Sequence, residues 1–328
     1  MTSFNIGWFG KVPLSTEFLK HNYAGPVFAD LDQWLQEGLV YVRNRCGESW
    51  SEDYDKAEPW NFLWCPPEQD EFLVGTAIPS TDKAGRHFPF LLFIRILQPR
   101  EDNHQAGVPG WCHDFLQEAR AIGQHGWKDK DLPTFKADLS QLTFPKIENF
   151  VVEKHREHYQ QFLENHTTAG FLSHVYGEDD HPPQTDVFKN IQNFLKSIPV
   201  GRSSPLRVGL KFPLIPISLT TEPFDLLFWM DMAKKLFPPN TIPTHVFWKR
   251  HVTPEQSYML VFPQKPGPQA FLNLIRPETE DVSWCDFSPQ ILEEALQSNE
   301  EKRSEDSIPM DEPSLSLQEW LDQCCVGK

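Results

Sequence analysis

The chain has 328 residues, of which 39% are hydrophobic and 13% aromatic, and its formal net charge at pH 7 is −16. This composition excludes a disordered protein, and the length allows one large domain or two. No run approaches the ~18 apolar residues of a membrane span, and the N-terminus lacks a signal-peptide pattern, so we expect a cytoplasmic protein without membrane insertion. The scattered cysteines, which form no Cys-x-x-Cys pair, are expected to be reduced.

The negative charge is concentrated at the C-terminal end. Residues 278–328 contain 14 acidic residues against Lys302, Arg303 and Lys328, a net charge of −11, which leaves −5 for the rest of the chain. This balance argues against nucleic acid or an anionic membrane as a partner. We expect residues 276–328 to form an acidic linker and a short amphipathic segment around Trp320, which either docks on a partner or packs back onto the domain.

Strand and helix patterns alternate along the chain. Apolar runs predict strands over 4–9, 72–78, 88–97, 205–217, 245–249 and 257–262. Helical spacing predicts helices over 26–45, 111–122, 151–165, 186–196, 224–237, 271–275 and 288–296, whereas the polar segment 125–145 is expected to form loops.

The order of these elements predicts an α/β fold. The strand over 88–97 is apolar almost throughout, which is typical of a strand covered on both faces. We therefore expect a layered α/β/α sandwich around a mixed sheet in residues 1–275, with an inserted helical segment at about 100–200 and an acidic C-terminal tail.

Two sites suggested by isolated residues are rejected. Gly10-Lys11 follows a strand, but a phosphate-binding loop would need glycine at Asn5 and serine or threonine at Val12. His155 and His158 share one helix face, but a zinc site needs three or four ligands at supporting spacing, so a solvated helix face is favoured. We expect no catalytic residue, no metal site and no cofactor.

The strongest candidate site is the loop between the strands 72–78 and 88–97. It contains two hydroxyls, a carboxylate and two cations, and Gly85 can adopt the positive φ of a tight reversal: Ser80, Thr81, Asp82, Lys83, Gly85, Arg86. Asp82 is expected either to cap backbone N–H groups or to pair with Arg86, which would make the loop a structural corner. Alternatively, Lys83 and Arg86 contact an anion or a partner, together with Gly10 and Lys11.

An ordered series of motifs over residues 4–97 resembles the TagF (ImpM) family, which belongs to bacterial type VI secretion. The series comprises Gly7-Trp-Phe-Gly-Lys-Val-Pro13, Phe18, Trp34-Leu35, Gly38-Leu39, Trp50, Tyr54, Pro59-Trp60-x-Phe62 and Pro79-Ser-Thr-Asp-Lys-x-Gly-Arg-x-Phe-Pro89. The helix over 224–237 and the strand containing Phe247-Trp248 are similar to the family's C-terminal part. The chain departs from the family where Thr16-Glu17-Phe18 replaces Gly-Asp-Phe, and in its longer 100–200 segment and tail.

The resemblance implies a non-enzymatic cytoplasmic accessory protein. Members of this family hold the secretion machine inactive after translation and are linked to its forkhead-associated scaffold protein, which is therefore the expected partner. Two alternatives remain open. One is an enzyme that acts on a phosphorylated group with Lys11, Asp82, Lys83 and Arg86, which predicts a deep pocket and a perturbed pKa. The other is a structural accessory of the baseplate.

Overall fold

The structure, a computed structural model, describes residues 3–97, 107–143, 149–176, 209–220, 223–236, 244–253, 256–276, 284–287 and 315–323. The chain divides into two compact units. Unit 1 comprises Met1–Val151, Thr244–Lys249 and Gln264–Ser283, and unit 2 comprises Val152–Pro243, Arg250–Pro263 and Trp284–Lys328. The sequence-based limits, a domain over 1–275 with an insertion at about 100–200, stay a prediction.

Six of the described strands form the sheet of unit 1. They are β1 (Ser3–Gly10), β2 (Leu19–His21), β3 (Trp60–Trp64), β4 (Glu71–Ile78), β5 (Phe90–Leu97) and β7 (His245–Lys249). Their order is β2-β1-β5-β4-β3-β7, and each neighbouring pair is antiparallel. The strands β4 and β5 form the predicted hairpin, with Ile78 opposite Phe90 next to the loop.

Helices cover both faces of this sheet. The α-helices described in unit 1 are α1 (Pro26–Cys46), α2 (Trp50–Lys56), α3 (Val108–Trp111), α4 (His113–His125), α5 (Leu132–Gln141) and α9 (Gln269–Ile275). On one face, Phe28 of α1 stacks on Phe93 of β5. On the other face, Phe90 of β5 contacts Phe135 of α5. Because Phe90 and Phe93 are an odd number of residues apart, the strand directs them to opposite faces, which explains why β5 is almost entirely apolar.

The described part of unit 2 contains three strands and four helices. The strands β6 (Gly209–Pro213), β8 (Tyr258–Phe262) and β9 (Trp284–Asp286) lie in the order β8-β6-β9. The β6–β8 pair is antiparallel and the β6–β9 pair is parallel, so the predicted mixed sheet is confirmed. Most of α6 (Asn149–Asn165), α7 (Thr168–Tyr176), α8 (Phe224–Leu236) and α10 (Leu317–Gln323) belong to this unit.

The C-terminal helix α10 packs within unit 2. Its Trp320 is buried against the rings of Phe228 and Trp229 of α8. The backbone before α10 is also held, because Thr168 donates to the carbonyl of Leu315 through both its N–H and its hydroxyl. Of the two uses considered for this segment, the structure thus shows packing back onto the protein.

One sequence-based interpretation is wrong, since part of the expected 125–145 loop region is the helix α5. The Asp131 side chain accepts a hydrogen bond from the N–H of Thr134 and caps the helix. Phe135 and Leu139, one turn apart, are buried on its inner face. The high polarity of the segment obscured this pair. The expected helices over 186–196 and 288–296 lie outside the described residues.

Candidate functional site

The 80–86 loop, which we call the corner loop, closes the β4–β5 hairpin with a tight turn. Thr81 and His87 form an antiparallel bridge, and the N–H of Gly85 donates to the carbonyl of Asp82 over 2.9 Å. Gly85 has a φ of 79°, which confirms the predicted positive value. Aspartate in the first position and glycine in the fourth are the residues that such a turn favours.

The Asp82 side chain folds back into its own loop. Its Oδ1 accepts hydrogen bonds from the backbone N–H groups of Ala84 and Arg86, both at 2.9 Å. Its Oδ2 accepts from Nε of Arg86 at 2.7 Å. Both alternatives for the structural corner, backbone capping and pairing with Arg86, therefore occur together at one carboxylate.

A second cation reaches Asp82 from a distant part of the chain. Lys11 follows β1, and its Nζ lies 2.6 Å from Oδ2 of Asp82; the Lys11 side chain is 8% exposed and that of Asp82 is fully buried. Gly10 makes this approach possible, because a Cβ on its backbone, at a φ of 140°, would lie 2.1 Å from the carbonyl oxygen of Pro89. Lys11 and Asp82 are thus a buried ion pair between two elements of unit 1.

These contacts determine the protonation state of Asp82. Burial by itself raises the pKa of its carboxyl group, but hydrogen bonds from the Lys11 ammonium, from Arg86 and from the N–H of Ala84 outweigh burial and hold that pKa well below the usual range. Asp82 is therefore an ionised carboxylate whose oxygens are occupied, which makes it a poor proton acceptor.

A third segment, residues 12–18, completes the corner. The N–H of Lys83 donates to the carbonyl of Ser15 over 2.9 Å, and an Arg86 guanidinium nitrogen donates to the carbonyl of Thr16 over 2.7 Å. The side chain of Lys83 is exposed, and the Arg86 side chain remains 60% exposed. The loop therefore buries its carboxylate and presents its cations.

An aromatic cluster continues the same surface. The Lys20 ammonium lies 5.7, 5.6 and 5.5 Å from the ring centroids of Phe9, Phe18 and Tyr23. The Phe18 ring is also 5.2 Å from the Lys11 ammonium. These distances are within the range of cation–π attraction, so the aromatic rings hold Lys20 in place next to the corner loop.

The structure brings together most of the predicted site residues, but in different roles. Lys11, Asp82 and Arg86 form one ion network, whereas Ser80 and Thr81 act mainly through the hairpin backbone, with the carbonyl of Ser80 accepting from the N–H of Phe88. The contribution of the Ser15 and Thr16 carbonyls was missed. Any residue type offers a backbone carbonyl, so the sequence carried no signal for them.

A cleft lies elsewhere, in unit 2. It has a volume of about 530 Å³ and is lined by imidazole and phenyl rings together with aliphatic and polar side chains, among them His158, His166, His174, Phe162 and Phe224. None of the corner-loop residues lines it. Within the described ranges, no three histidine, cysteine, aspartate or glutamate side chains are grouped as metal ligands would be.

A comparison with known families identifies the part of the chain that carries the corner. The model of the TagF N-terminal domain, described as type VI secretion system-associated, matches residues 7–142. This part of the chain is a TagF N-terminal domain. Lys11, the corner loop and the β4–β5 hairpin all lie within the TagF domain, as do the helices α1 to α5. The protein is therefore associated with type VI secretion, as the sequence motifs indicated.

Other comparisons add little to this assignment. The crystal structure of PA0076 from Pseudomonas aeruginosa PAO1 is similar to the chain with a TM-score of 0.49 and 15% identity, over 85% of this chain and 97% of that one. No curated protein matches the sequence. In the part of the chain that the structure describes, no helix combines the length and apolar character that crossing a bilayer requires.

Proposed function

We propose that this protein is a non-enzymatic cytoplasmic regulator that keeps type VI secretion inactive by binding the forkhead-associated scaffold protein of that system. The TagF domain over residues 7–142 supports the association with type VI secretion. The proposed partner and the negative, post-translational action follow from the family resemblance of the motifs.

The observation that supports the binding role is the contrast in burial between the charged residues at the corner. Asp82 and Lys11 are buried and pair with each other, whereas Lys83 and the guanidinium of Arg86 are exposed. A hydrogen-bonded turn that exposes two cations on the surface suits recognition of another protein. The internal pair maintains the shape of the loop, and the outer side chains are available for contact.

The same geometry disfavours the alternative of an enzyme acting on a phosphorylated group. Such a site would gather Lys11, Asp82, Lys83 and Arg86 around a pocket, with a carboxylate able to accept a proton. Instead, Asp82 is ionised and its two oxygens are already bound by Lys11, Arg86 and Ala84. The corner loop therefore offers no free carboxylate that could act as a general base.

The test is a direct binding measurement between the purified protein and the purified forkhead-associated scaffold. Wild type, Lys83→Glu and the control Lys128→Glu are compared; both lysines are exposed and lie in unit 1, so the change in net charge is matched. Asp82→Ala is not a suitable probe, because it removes a buried partner of Lys11 and disturbs the fold of the loop. Secretion activity in cells that overproduce each variant gives the second readout.

We expect the wild type and Lys128→Glu to bind the scaffold and to suppress secretion, and Lys83→Glu to lose both properties. Equal binding by all three would remove the corner loop from the interface while retaining the scaffold as partner. Absence of scaffold binding by the wild type would refute the proposed function. Capture of baseplate proteins in its place would favour the structural accessory.

A further inference from the structure

The corner loop is part of a larger surface with a charge opposite to that of the chain. We call the exposed residues of 13–23 and 83–86 the corner surface. It carries the cations Lys20, Lys83 and Arg86 against one exposed carboxylate, Glu17, although the whole chain has a formal charge of −16. A positive surface of this kind in an acidic protein attracts anionic partners.

Contacts between its two segments make this surface continuous. Lys83 is tied through its N–H to Ser15, and Arg86 through its side chain to Thr16. The ammonium group of Lys20 lies over the ring of Phe18, and Phe18 is two residues beyond Thr16 in the same segment. The backbone of Lys83 and the side chains of Arg86 and Lys20 are therefore held along one connected segment, which reduces the conformational entropy lost when a partner binds.

The surface also has an aromatic component. Tyr23 is 37% exposed and is one of the rings around the Lys20 ammonium. Tyrosine and arginine are enriched among the residues that contribute most to protein interfaces. Asp32 of α1, which is half-buried, is the further carboxylate that interacts electrostatically with Lys20. It only partly offsets the positive charge of the surface.

Recognition by side chains is favoured over strand addition. The strand β2 lies at the edge of the sheet of unit 1, but it has three residues, Leu19–His21, with a lysine at its centre. Short edge strands that carry lysine are the means by which proteins prevent an added strand. The exposed cations and the tyrosine are therefore the groups that a partner would contact.

We propose that the corner surface binds a carboxylate-rich segment of the partner protein, with Lys20 and Lys83 supplying the charge contacts and Tyr23 an apolar contact. This inference rests on the proposed function, because it specifies the chemistry of the partner at the same corner. It adds Lys20 and Tyr23, which lie outside the motif residues considered from the sequence, to the binding surface.

The test uses the full chain and a fluorescein-labelled polyglutamate peptide. The variant is Lys20→Gln/Lys83→Gln, and the matched control is Lys56→Gln/Lys128→Gln, which removes two exposed charges elsewhere in unit 1. Neutral replacements avoid placing a new carboxylate near Asp32. Circular dichroism and thermal unfolding establish that both variants are folded.

We expect the wild type and the control to bind polyglutamate at low salt, and the Lys20→Gln/Lys83→Gln variant to bind it roughly tenfold more weakly, since each rim charge contributes a modest share of affinity. High salt should weaken the wild-type interaction. Equal weakening in both double variants, or no wild-type binding of polyglutamate, would each overturn the inference.

Parallel titrations with the purified scaffold separate this inference from the proposed function. Scaffold binding that is lost in Lys20→Gln/Lys83→Gln and kept in the control would support both. Scaffold binding that is the same in all three proteins would refute the corner surface as the site and leave the proposed function standing. Binding of polyglutamate without any binding of the scaffold would refute the proposed function and leave the corner surface standing as a site for carboxylate-rich segments.

Discussion

A buried histidine in unit 1 makes stability depend on pH. His245 begins β7 and is 1% exposed; its Nδ1 lies 2.7 Å from the hydroxyl of Thr244. Its ring packs edge-on against Trp64 with the ring centroids 4.1 Å apart, and Nε2 has no hydrogen-bond partner among the described residues. Burial, with a smaller repulsion from Lys265, lowers the pKa of His245 from 6.5 to about 3.

The consequence follows from the difference in proton binding between the folded and unfolded states. Below about pH 6.5 the unfolded chain binds a proton at His245 that the folded protein does not bind until about pH 3. The free energy of unfolding therefore falls as the pH falls through this window, by up to about 1.4 kcal/mol per pH unit. The contribution of His245 alone amounts to roughly 2 kcal/mol lost between about pH 8 and about pH 5.

The assay is urea unfolding at these two pH values, followed by tryptophan fluorescence and by circular dichroism. The variant His245→Leu replaces the imidazole with an apolar side chain of similar volume, and His125→Leu makes the same change at an exposed position of α4. Other groups also titrate, so the quantity compared is the loss of unfolding free energy from high to low pH in each protein.

We expect this loss to be about 2 kcal/mol smaller in His245→Leu than in the wild type, because the variant has no proton to bind on unfolding. His125→Leu should retain the full loss. If His245→Leu and the wild type lost the same free energy, the burial of a neutral imidazole would not be the cause, and the argument would be refuted.

Three further changes test the packing. Gly38→Ala should destabilise the protein by about 1–2 kcal/mol in urea unfolding despite its better helix propensity, because the new Cβ would lie 2.6 Å from Cβ of Phe271. Gly85→Ala should cost about 1 kcal/mol, since only the positive φ opposes it, and Gly85→Asn should cost less in the same measurement. Trp320→Ala should cost about 3 kcal/mol and increase amide exchange in α8 and α10, because a buried indole is removed.

The controls for these changes are matched by position. Glu37→Ala, next to Gly38 on the exposed side of α1, should change the stability little, and so should Gln323→Ala at the end of α10. A stabilising effect of Gly38→Ala would show that the Phe271 side chain moves to make room for the new Cβ, which would contradict the predicted clash. Equal costs for the two substitutions at Gly85 would contradict a purely conformational origin. Unchanged exchange in α8 after Trp320→Ala would contradict the packing of α10.

Local patterns in the sequence predicted much of the fold of unit 1. The strand β7 occupies the predicted residues 245–249, and α1 extends over 26–46 where 26–45 was expected. The turn chemistry of Asp82 and Gly85 was also readable, since a carboxylate and a glycine three residues apart make most of their turn contacts within the loop. The helix α5 was missed because two buried residues in a polar segment give a weak periodic signal.

The sequence by itself determined the strand–turn–strand unit, its helical cover and the family motifs. Only the tertiary structure decided which distant groups meet at the corner. The register of β1 on β5, with Phe9 opposite Leu91, places Lys11 beside a carboxylate 71 positions away. The tertiary structure also decided that Trp320 packs against α8. Such choices depend on sheet register and on which surfaces become adjacent, and neither is encoded within a short window of residues.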